Sequence, residues 1–134
     1  MINLFTMKDF DKWNKEKKQV NEKEIAYDFF YHPREVWWCA VGVNIGVEAD
    51  GKQNNFERPT LIVKKFNKDQ FWGVPLTSNE KTGDFYQKIK HEAGISWVAL
   101  SQIRVFSSKR LLRKISMISE DEFEMIRNKL KNLL

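Results

Sequence analysis

Apolar residues occur in short runs through the middle of the chain and at helical spacing near both ends. Short apolar runs bounded by turn formers are typical of β-strands, whereas a period of 3.6 residues is typical of helices. The pattern predicts strands at 36–43, 60–66, 70–76 and 84–90, and one longer strand at 95–106 that bends. The basic, leucine-rich stretch 109–114 is predicted as a helical turn.

Two helices are predicted, one at each end of the strand region. The first spans Met7–Glu24, follows a capping box that begins at Thr6, and would rest on the domain through Phe10 and Trp13. Five of its lysines, at positions 12, 15, 17, 18 and 23, make it strongly basic, so a basic arm for RNA is the alternative to a solvated helix, and we favour the solvated helix. The second begins after the capping box 119–122 and has an apolar face of Phe123, Ile126, Leu130 and Leu133.

Short strands without intervening helices, followed by one terminal helix, predict a mainly β (α+β) fold, a small antiparallel barrel. Closing the sheet would remove the exposed edge strands. We expect residues 1–30 to form an N-terminal helical extension packed on the barrel, and residues 31–134 to form the domain itself.

Composition narrows the class of protein. The chain has 134 residues, of which 42% are hydrophobic, enough for one compact domain without disulfides. Its single cysteine, Cys39, lies in an apolar run and is predicted to be a buried hydrophobic residue. The N-terminus is too soon interrupted by charge to be a signal peptide or a membrane span, so we expect a cytoplasmic protein. The net charge of +5 favours polyanionic partners.

A long polar segment, 44–57, separates the first two predicted strands and ends in Arg58-Pro59. Loops of this length in small domains are often functional. The guanidinium of Arg58 stays charged and can bind two phosphate oxygens at once. The alternative is a surface arginine paired with Glu57 or Glu48.

Hydroxyl and imidazole groups provide further candidates. Thr77 and Ser78 follow a strand that ends in Pro75-Leu76, where a hydroxyl can donate to a phosphate oxygen or simply close a turn. His32 and His91 could transfer protons in a two-histidine ribonuclease, although loop histidines without such a role are the favoured interpretation.

No motif implies a metal or a cofactor. The sequence has no His-x-x-x-His pair, no closely spaced aspartate cluster, no P-loop and no Gly-x-Gly-x-x-Gly. The acids at 120–124 are explained by helix capping. Four strand tryptophans could stack RNA bases, but a role in the core or in a dimer interface is favoured.

Taken together, the segments resemble the MazF/PemK toxins, the sequence-cleaving ribonucleases of bacterial toxin–antitoxin pairs. The similarity extends from about Glu35 to the C-terminal helix. The matching pieces are Arg34-Glu35-Val36-Trp37-Trp38, Gly46-x-Glu48, Glu57-Arg58-Pro59 with Leu61-Ile62-Val63, Val74-Pro75-Leu76-Thr77-Ser78, and Leu100-Ser101-Gln102-Ile103-Arg104 before Lys109-Arg110-Leu111.

The resemblance implies an SH3-like barrel that dimerises and a metal-independent attack of a ribose 2′-OH on the adjacent phosphate. By position, Arg58 matches the catalytic arginine of the family and Thr77 the threonine that supports the transition state. Glu48 matches an acid near the substrate, and we place Ser78 and Gln102 with it as substrate-binding residues.

Two departures from the family pattern stand out. The Arg-Gly that usually opens the first strand is Pro33-Arg34 here. Ala99 and Ser101 occupy the places where one branch has an arginine and an aspartate, so the acid–base scheme of that branch does not carry over.

The leading hypothesis is an endoribonuclease toxin that cuts single-stranded RNA such as mRNA, needs no cofactor, and is restrained by a cognate antitoxin. Because arginine is a poor proton acceptor, Arg58 is expected to stabilise charge, which leaves Glu48, Glu57 or His32 as the base. The rival hypotheses are a gyrase poison like the CcdB toxins and a non-catalytic barrel that binds RNA or protein.

Overall fold

A computed structural model describes residues 7–134. They form one sheet of seven strands, with one helix before the first strand in the chain and one after the last. The elements, in chain order, are α1 (Phe10–Glu22), β1 (Glu35–Ala40), β2 (Glu57–Lys65), β3 (Gln70–Thr77), β4 (Tyr86–His91), β5 (Gly94–Ala99), β6 (Arg104–Ser107), β7 (Leu111–Met117) and α2 (Glu120–Asn132).

The strands are hydrogen-bonded in the order β4-β5-β3-β2-β1-β7, and β6 pairs with the first half of β3. All strand pairs recorded for residues 7–134 are antiparallel. The predicted mainly β class is therefore confirmed. The sheet is not closed, however, because β4 and β7 stand at the two ends of the order and do not pair with each other in this part of the chain.

Alternating residues of the central strands supply two separate cores, as expected for a sheet covered on both faces. One core packs against α2 and contains Val36, Leu61, Val74, Leu76, Val98, Phe123 and Ile126. The other lies on the opposite face and contains Tyr31, Trp37, Cys39, Ile62, Phe71 and Phe106. Cys39 is fully buried, as predicted, and burial raises the pKa of its thiol to about 12.

Helix α1 packs on the domain through Trp13, which is buried against Val43 and Phe56. At Gly42, φ is +83° and a Cβ would lie 2.3 Å from Trp13 Cε2, so only glycine fits beneath the indole. Phe10, the other predicted contact, is instead half exposed. The cap is Asp9, whose carboxylate accepts from Lys12 N. The predicted cap residue Thr6 lies outside the described residues.

The long strand predicted at 95–106 is wrong, because the chain forms two strands there. A short helical turn, Leu100–Gln102, separates β5 from β6. The turn lets β5 pair with the end of β3 at Leu76 and Thr77, while β6 pairs with the beginning of β3.

The helical turn predicted at 109–114 is also wrong for most of its length. Only 108–110 forms a turn, and β7 follows it as an edge strand beside β1. The basic side chains of this strand are tolerated because β1 and β2 provide carboxylates for them: Lys114 pairs with Glu35 and Arg113 with Glu57.

Among residues 7–134, no helix is long and apolar enough to cross a membrane.

Candidate active site

The strand register brings Arg58 and Thr77 together. Thr60 on β2 is paired with Pro75 on β3, and continuing this antiparallel register by two residues places Arg58 opposite Thr77 on the same face. The Nη1 group of Arg58 donates to the carbonyl of Leu76, the residue before Thr77, at 3.2 Å. The two residues singled out in the sequence therefore lie side by side at the end of two adjacent strands.

The guanidinium of Arg58 is held by backbone carbonyls. Its Nε donates to the Asp50 carbonyl at 2.6 Å, in addition to the bond to Leu76. These contacts use two of the five N–H groups of an arginine, so others can bind a ligand. Burial lowers the pKa of Arg58 and the charge of Asp50 opposes the shift, yet the group remains a cation at neutral pH.

The alternative pairing of Arg58 with Glu57 or Glu48 is not what the structure shows. Both carboxylate oxygens of Glu57 accept from Arg113, at 3.0 Å each. Glu57 also precedes Arg58 in the strand and so points to the other face of the sheet. Glu48 instead accepts from the backbone N of Ile45 at 3.1 Å.

The loop between β1 and β2 folds back on itself next to Arg58. Asn44 N donates to the Asp50 carboxylate at 2.6 Å, and Gly51 N donates to the Gly42 carbonyl at 2.8 Å. At Gly51 a Cβ would lie 1.6 Å from the carbonyl oxygen of Phe56, so the close crossing of the two limbs of the loop requires glycine. This crossing sets the position of the Asp50 carbonyl, which accepts the hydrogen bond from Arg58 Nε.

A cavity of about 460 Å³ lies beside the same loop, and Glu48, Gln102, Pro75 and Arg104 are among its lining residues. The side-chain amide of Gln102 accepts from Ala49 N at 3.0 Å and donates to the Val47 carbonyl at 3.0 Å. Gln102 thus ties the turn after β5 to the loop that carries Glu48. Whether Glu48 and Gln102 bind substrate remains a prediction.

Thr77 is half-buried, and its Oγ1 accepts from Asn79 N at 3.2 Å, which is ordinary turn chemistry. The hydroxyl proton is not used by that bond and can be donated to a ligand. Ser78 is exposed beside it. Their roles also stay predictions.

The strand pairing places two further side chains in line with Thr77, and the sequence analysis did not include either of them in the site. Trp97 on β5 is the partner of Thr77, and Lys88 on β4 is the partner of Trp97. Lys88 Nζ lies 5.9 Å from the centre of the Trp97 ring. These residues are 20 and 11 positions from Thr77 in a sequence that has no visible signal for the pairing.

The structure does not bring the two histidines together at Arg58. His32 lies before β1 and contacts Glu35 at 3.3 Å, whereas Cys39 is the β1 partner of Arg58. The four residues from Glu35 to Cys39 correspond to about 13 Å along a strand. His91 lies at the β4–β5 turn, where it bonds Ser96 at 2.9 Å, and burial lowers its pKa while Glu122 opposes the shift.

Within residues 7–134, no group of three or more His, Cys, Asp or Glu side chains is arranged to hold a metal ion. The expectation of a metal-independent reaction remains a prediction.

Comparison with solved structures identifies the fold. A crystal structure of MazF from Deinococcus radiodurans superposes with a TM-score of 0.66 at 21% identity, covering 79% of this chain and 97% of that one. An endoribonuclease in complex with its cognate antitoxin from a Mycobacterial species gives a TM-score of 0.61 at 15% identity, with 77% and 93% covered. A MazE–MazF complex from D. radiodurans gives 0.61 at 18%, with 79% and 96% covered.

The family model of the PemK-like, MazF-like toxins of type II toxin–antitoxin systems matches residues 32–134. The chain therefore belongs to this family, which confirms the resemblance seen in its motifs. Toxins of the MazF family are known as endoribonucleases. A comparison with curated protein sequences gives no match.

Proposed function

We propose that this protein is an endoribonuclease toxin that cuts single-stranded RNA without a metal. In the reaction, a ribose 2′-OH attacks the adjacent phosphorus and the P–O5′ bond breaks. A base takes the 2′-OH proton and the departing 5′ oxygen gains one, leaving a 2′,3′-cyclic phosphate and a 5′-OH. The observation that carries the proposal is the Arg58 cation, held by two carbonyls opposite Thr77.

Arg58 stabilises the transition state, in which negative charge grows on the non-bridging phosphate oxygens. A donor that is already fixed in place needs no reorganisation at the moment of reaction. The bonds to Asp50 and Leu76 fix the guanidinium in this way. The hydroxyl of Thr77 adds a second donor from the adjacent strand.

We favour Glu48 as the base among the three candidates. Glu57 points to the other face and is bound by Arg113, and His32 lies near the far end of β1. Glu48 is exposed, lines the cavity and lies two residues before Asp50, whose carbonyl binds Arg58. Glu48→Gln cannot accept a proton, so it should lower kcat for cleavage of an RNA substrate.

Two features near the pair Arg58 and Thr77 suit a single RNA strand, although neither residue is among those that line the cavity. The cavity of about 460 Å³ is large enough for a nucleotide base, and Glu48, Gln102 and Arg104 offer polar groups at its wall. On the other side of Thr77, Trp97 provides an aromatic ring and Lys88 a positive charge. Stacking on aromatic rings and cationic contacts to phosphates are the usual means of holding single-stranded RNA.

For the protein partner, we propose a cognate antitoxin that uses a second groove, beside α2. This groove has a volume of about 700 Å³ and an apolar wall that includes Val63, Trp72, Ile103, Phe123 and Leu130. Its rim is basic, with Lys64, Lys65, Arg104, Arg127 and Lys131. An acidic amphipathic segment fits this combination of apolar area and positive charge. The predicted homodimer is tested separately by measuring the mass of the purified protein in solution.

The decisive experiment incubates the purified protein with a long single-stranded RNA in EDTA and maps the ends. We expect 2′,3′-cyclic phosphate and 5′-OH ends from the wild type and none from Arg58→Ala. Binding without cleavage would favour the non-catalytic barrel. The gyrase poison is tested in a separate reaction of the protein with gyrase and DNA. Trapped covalent gyrase–DNA complexes there, together with intact RNA in the first reaction, would favour it.

A further inference from the structure

The N-terminal extension reaches the candidate active site through Lys8, which lies outside the residues matched by the family model. Lys8 Nζ donates to the carbonyls of Asn44 at 2.6 Å and Gly46 at 2.8 Å. The same ammonium lies 3.1 Å from the carboxylate of Asp50. One side chain therefore binds three groups of the loop between β1 and β2.

Asp50 connects Lys8 to Arg58. Its carboxylate binds Lys8 through one oxygen and the backbone N of Asn44 through the other, and its carbonyl accepts from Arg58 Nε at 2.6 Å. The side chains of Lys8 and Asp50 are 24% and 28% exposed, so their attraction is less screened than that of a surface pair. The ion pair thus fixes the residue whose carbonyl orients the guanidinium.

Two further contacts hold the same segment against the loop. Lys12 Nζ donates to the side-chain oxygen of Asn54 at 3.2 Å, on the returning limb of the loop. Trp13 is buried against Val43 and Phe56, one at each end of the loop. The extension therefore contacts the loop at its base, on its outgoing limb and on its returning limb.

We propose that Lys8 is a positioning residue of the active site: through its ion pair with Asp50 it holds the carbonyl that orients Arg58. The segment that precedes the family domain thereby becomes part of the catalytic unit. This inference rests on the proposed ribonuclease function only for its effect on rate, because the orientation of Arg58 can be measured without any reaction.

The test uses the full-length protein and the variants Lys8→Ala, Lys8→Arg and Asp50→Asn. Lys15→Ala is the matched control, since Lys15 is exposed on α1 and its loss removes the same charge. A small displacement of a catalytic group lowers rate by up to about a hundredfold, so we expect Lys8→Ala to reduce kcat by about tenfold to a hundredfold, with little change in KM. Lys8→Arg should restore part of the rate, and Lys15→Ala should resemble the wild type.

Asp50→Asn keeps the size of the side chain and its acceptor for Asn44 but removes the charge that attracts Lys8. It should reduce kcat as Lys8→Ala does, and the double variant should lose no more than either single variant. Additive losses in kcat would show that Lys8 does not act through Asp50. A change in KM alone would show that Lys8 acts on substrate binding. Either result would overturn the proposal.

The second readout is the exchange of the Arg58 Nε–H proton with solvent, followed by NMR. In the wild type the bond to Asp50 should slow this exchange, and Lys8→Ala and Asp50→Asn should accelerate it whereas Lys15→Ala should not. If the wild type proves unable to cleave RNA, the proposed function fails, but this measurement still decides the positioning role. Unchanged exchange in Lys8→Ala would refute that role even in an active enzyme.

Discussion

Arg58 and Arg113 are arginines of the same sheet with opposite kinds of partner. Arg113 on β7 binds the carboxylate of Glu57 through two hydrogen bonds of 3.0 Å, which raise its pKa. Arg58 on β2 binds two neutral carbonyls, and burial lowers its pKa. Glu57 thus neutralises the cation of Arg113 on one face of the sheet. Arg58, the next residue, lies on the other face and donates to carbonyls instead of a carboxylate.

The difference separates a structural cation from one available for catalysis. A carboxylate bound at two points cancels most of the charge of an arginine, whereas carbonyls orient the guanidinium and leave its charge to act on an anion. Lys114 follows the structural pattern, because it binds the carboxylate of Glu35 at 3.0 Å. We therefore expect substitutions at Arg58 to change rate and substitutions at the carboxylate-bound cations to change stability.

The largest effect is expected from Arg58→Ala. Removal of a preorganised donor to the transition state typically costs on the order of 10²–10³ in rate, so kcat for RNA cleavage should fall by at least that factor. Arg113→Ala is the matched control, since it removes the same charge and should leave kcat close to the wild-type value. Both values of kcat are measured on one RNA substrate under multiple-turnover conditions at saturating RNA.

Equal losses in the two variants would contradict this contrast, because they would trace the effect to net charge rather than to the position of Arg58. Circular dichroism of Arg58→Ala should match the wild type. Arg58→Lys retains a charge but not the planar fork, and it should recover only part of the lost rate.

A smaller effect is expected from Thr77→Val, which keeps the shape of the side chain and removes the hydroxyl. A hydrogen bond to a charged group is worth about 1.5–3 kcal/mol, so kcat should fall roughly tenfold to a hundredfold. Thr77→Ser keeps the hydroxyl and should stay near the wild type. Full activity of Thr77→Val would show that Arg58 acts without a hydroxyl partner from β3.

The sequence predicted the central strands and both helices, because each has a local cause. The roles of Arg58 and Thr77 were implied by the family resemblance and stay predictions, although the strand pairing places the two residues side by side. Turn-forming residues flank β2 and β3 in the sequence. A capping box stands at the start of α2, where Ser119 accepts from Glu122 N as expected. Local patterns of this kind require no knowledge of which strands are neighbours.

The failures came from contacts between distant segments. The run 109–114 looked too basic for a strand, but its charges are met by Glu35 and Glu57 from strands that lie far away in the sequence. Likewise, nothing local joins Lys8 to Asp50, or Lys88 and Trp97 to Thr77. Such contacts depend on sheet order and register, which the apolar pattern alone does not determine.

The third prediction concerns stability rather than rate. Arg113→Ala leaves the largely buried carboxylate of Glu57 without its two donors, and an unpaired buried charge destabilises the folded state. The melting temperature at neutral pH should therefore fall, while kcat measured well below it stays unchanged. A variant that melts like the wild type would show that the Glu57–Arg113 pair contributes nothing to the fold.

The smallest effect is expected at Glu35 and depends on pH. Burial alone would raise the pKa of Glu35, but hydrogen bonds from Trp37, the backbone of His32 and Lys114 outweigh it and lower the pKa below its ordinary value of 4.5. Because the folded state has the lower pKa, the stabilisation is present above pH 4.5 and is lost as the pH falls through the folded value. Glu35→Gln should therefore melt below the wild type at neutral pH, and the difference should shrink as the pH falls below 4.5. Glu80→Gln, which removes an exposed carboxylate, is the matched control and should melt close to the wild type. A constant difference between Glu35→Gln and the wild type across this range would mean that the pair with Lys114 stabilises the fold through packing and not through charge.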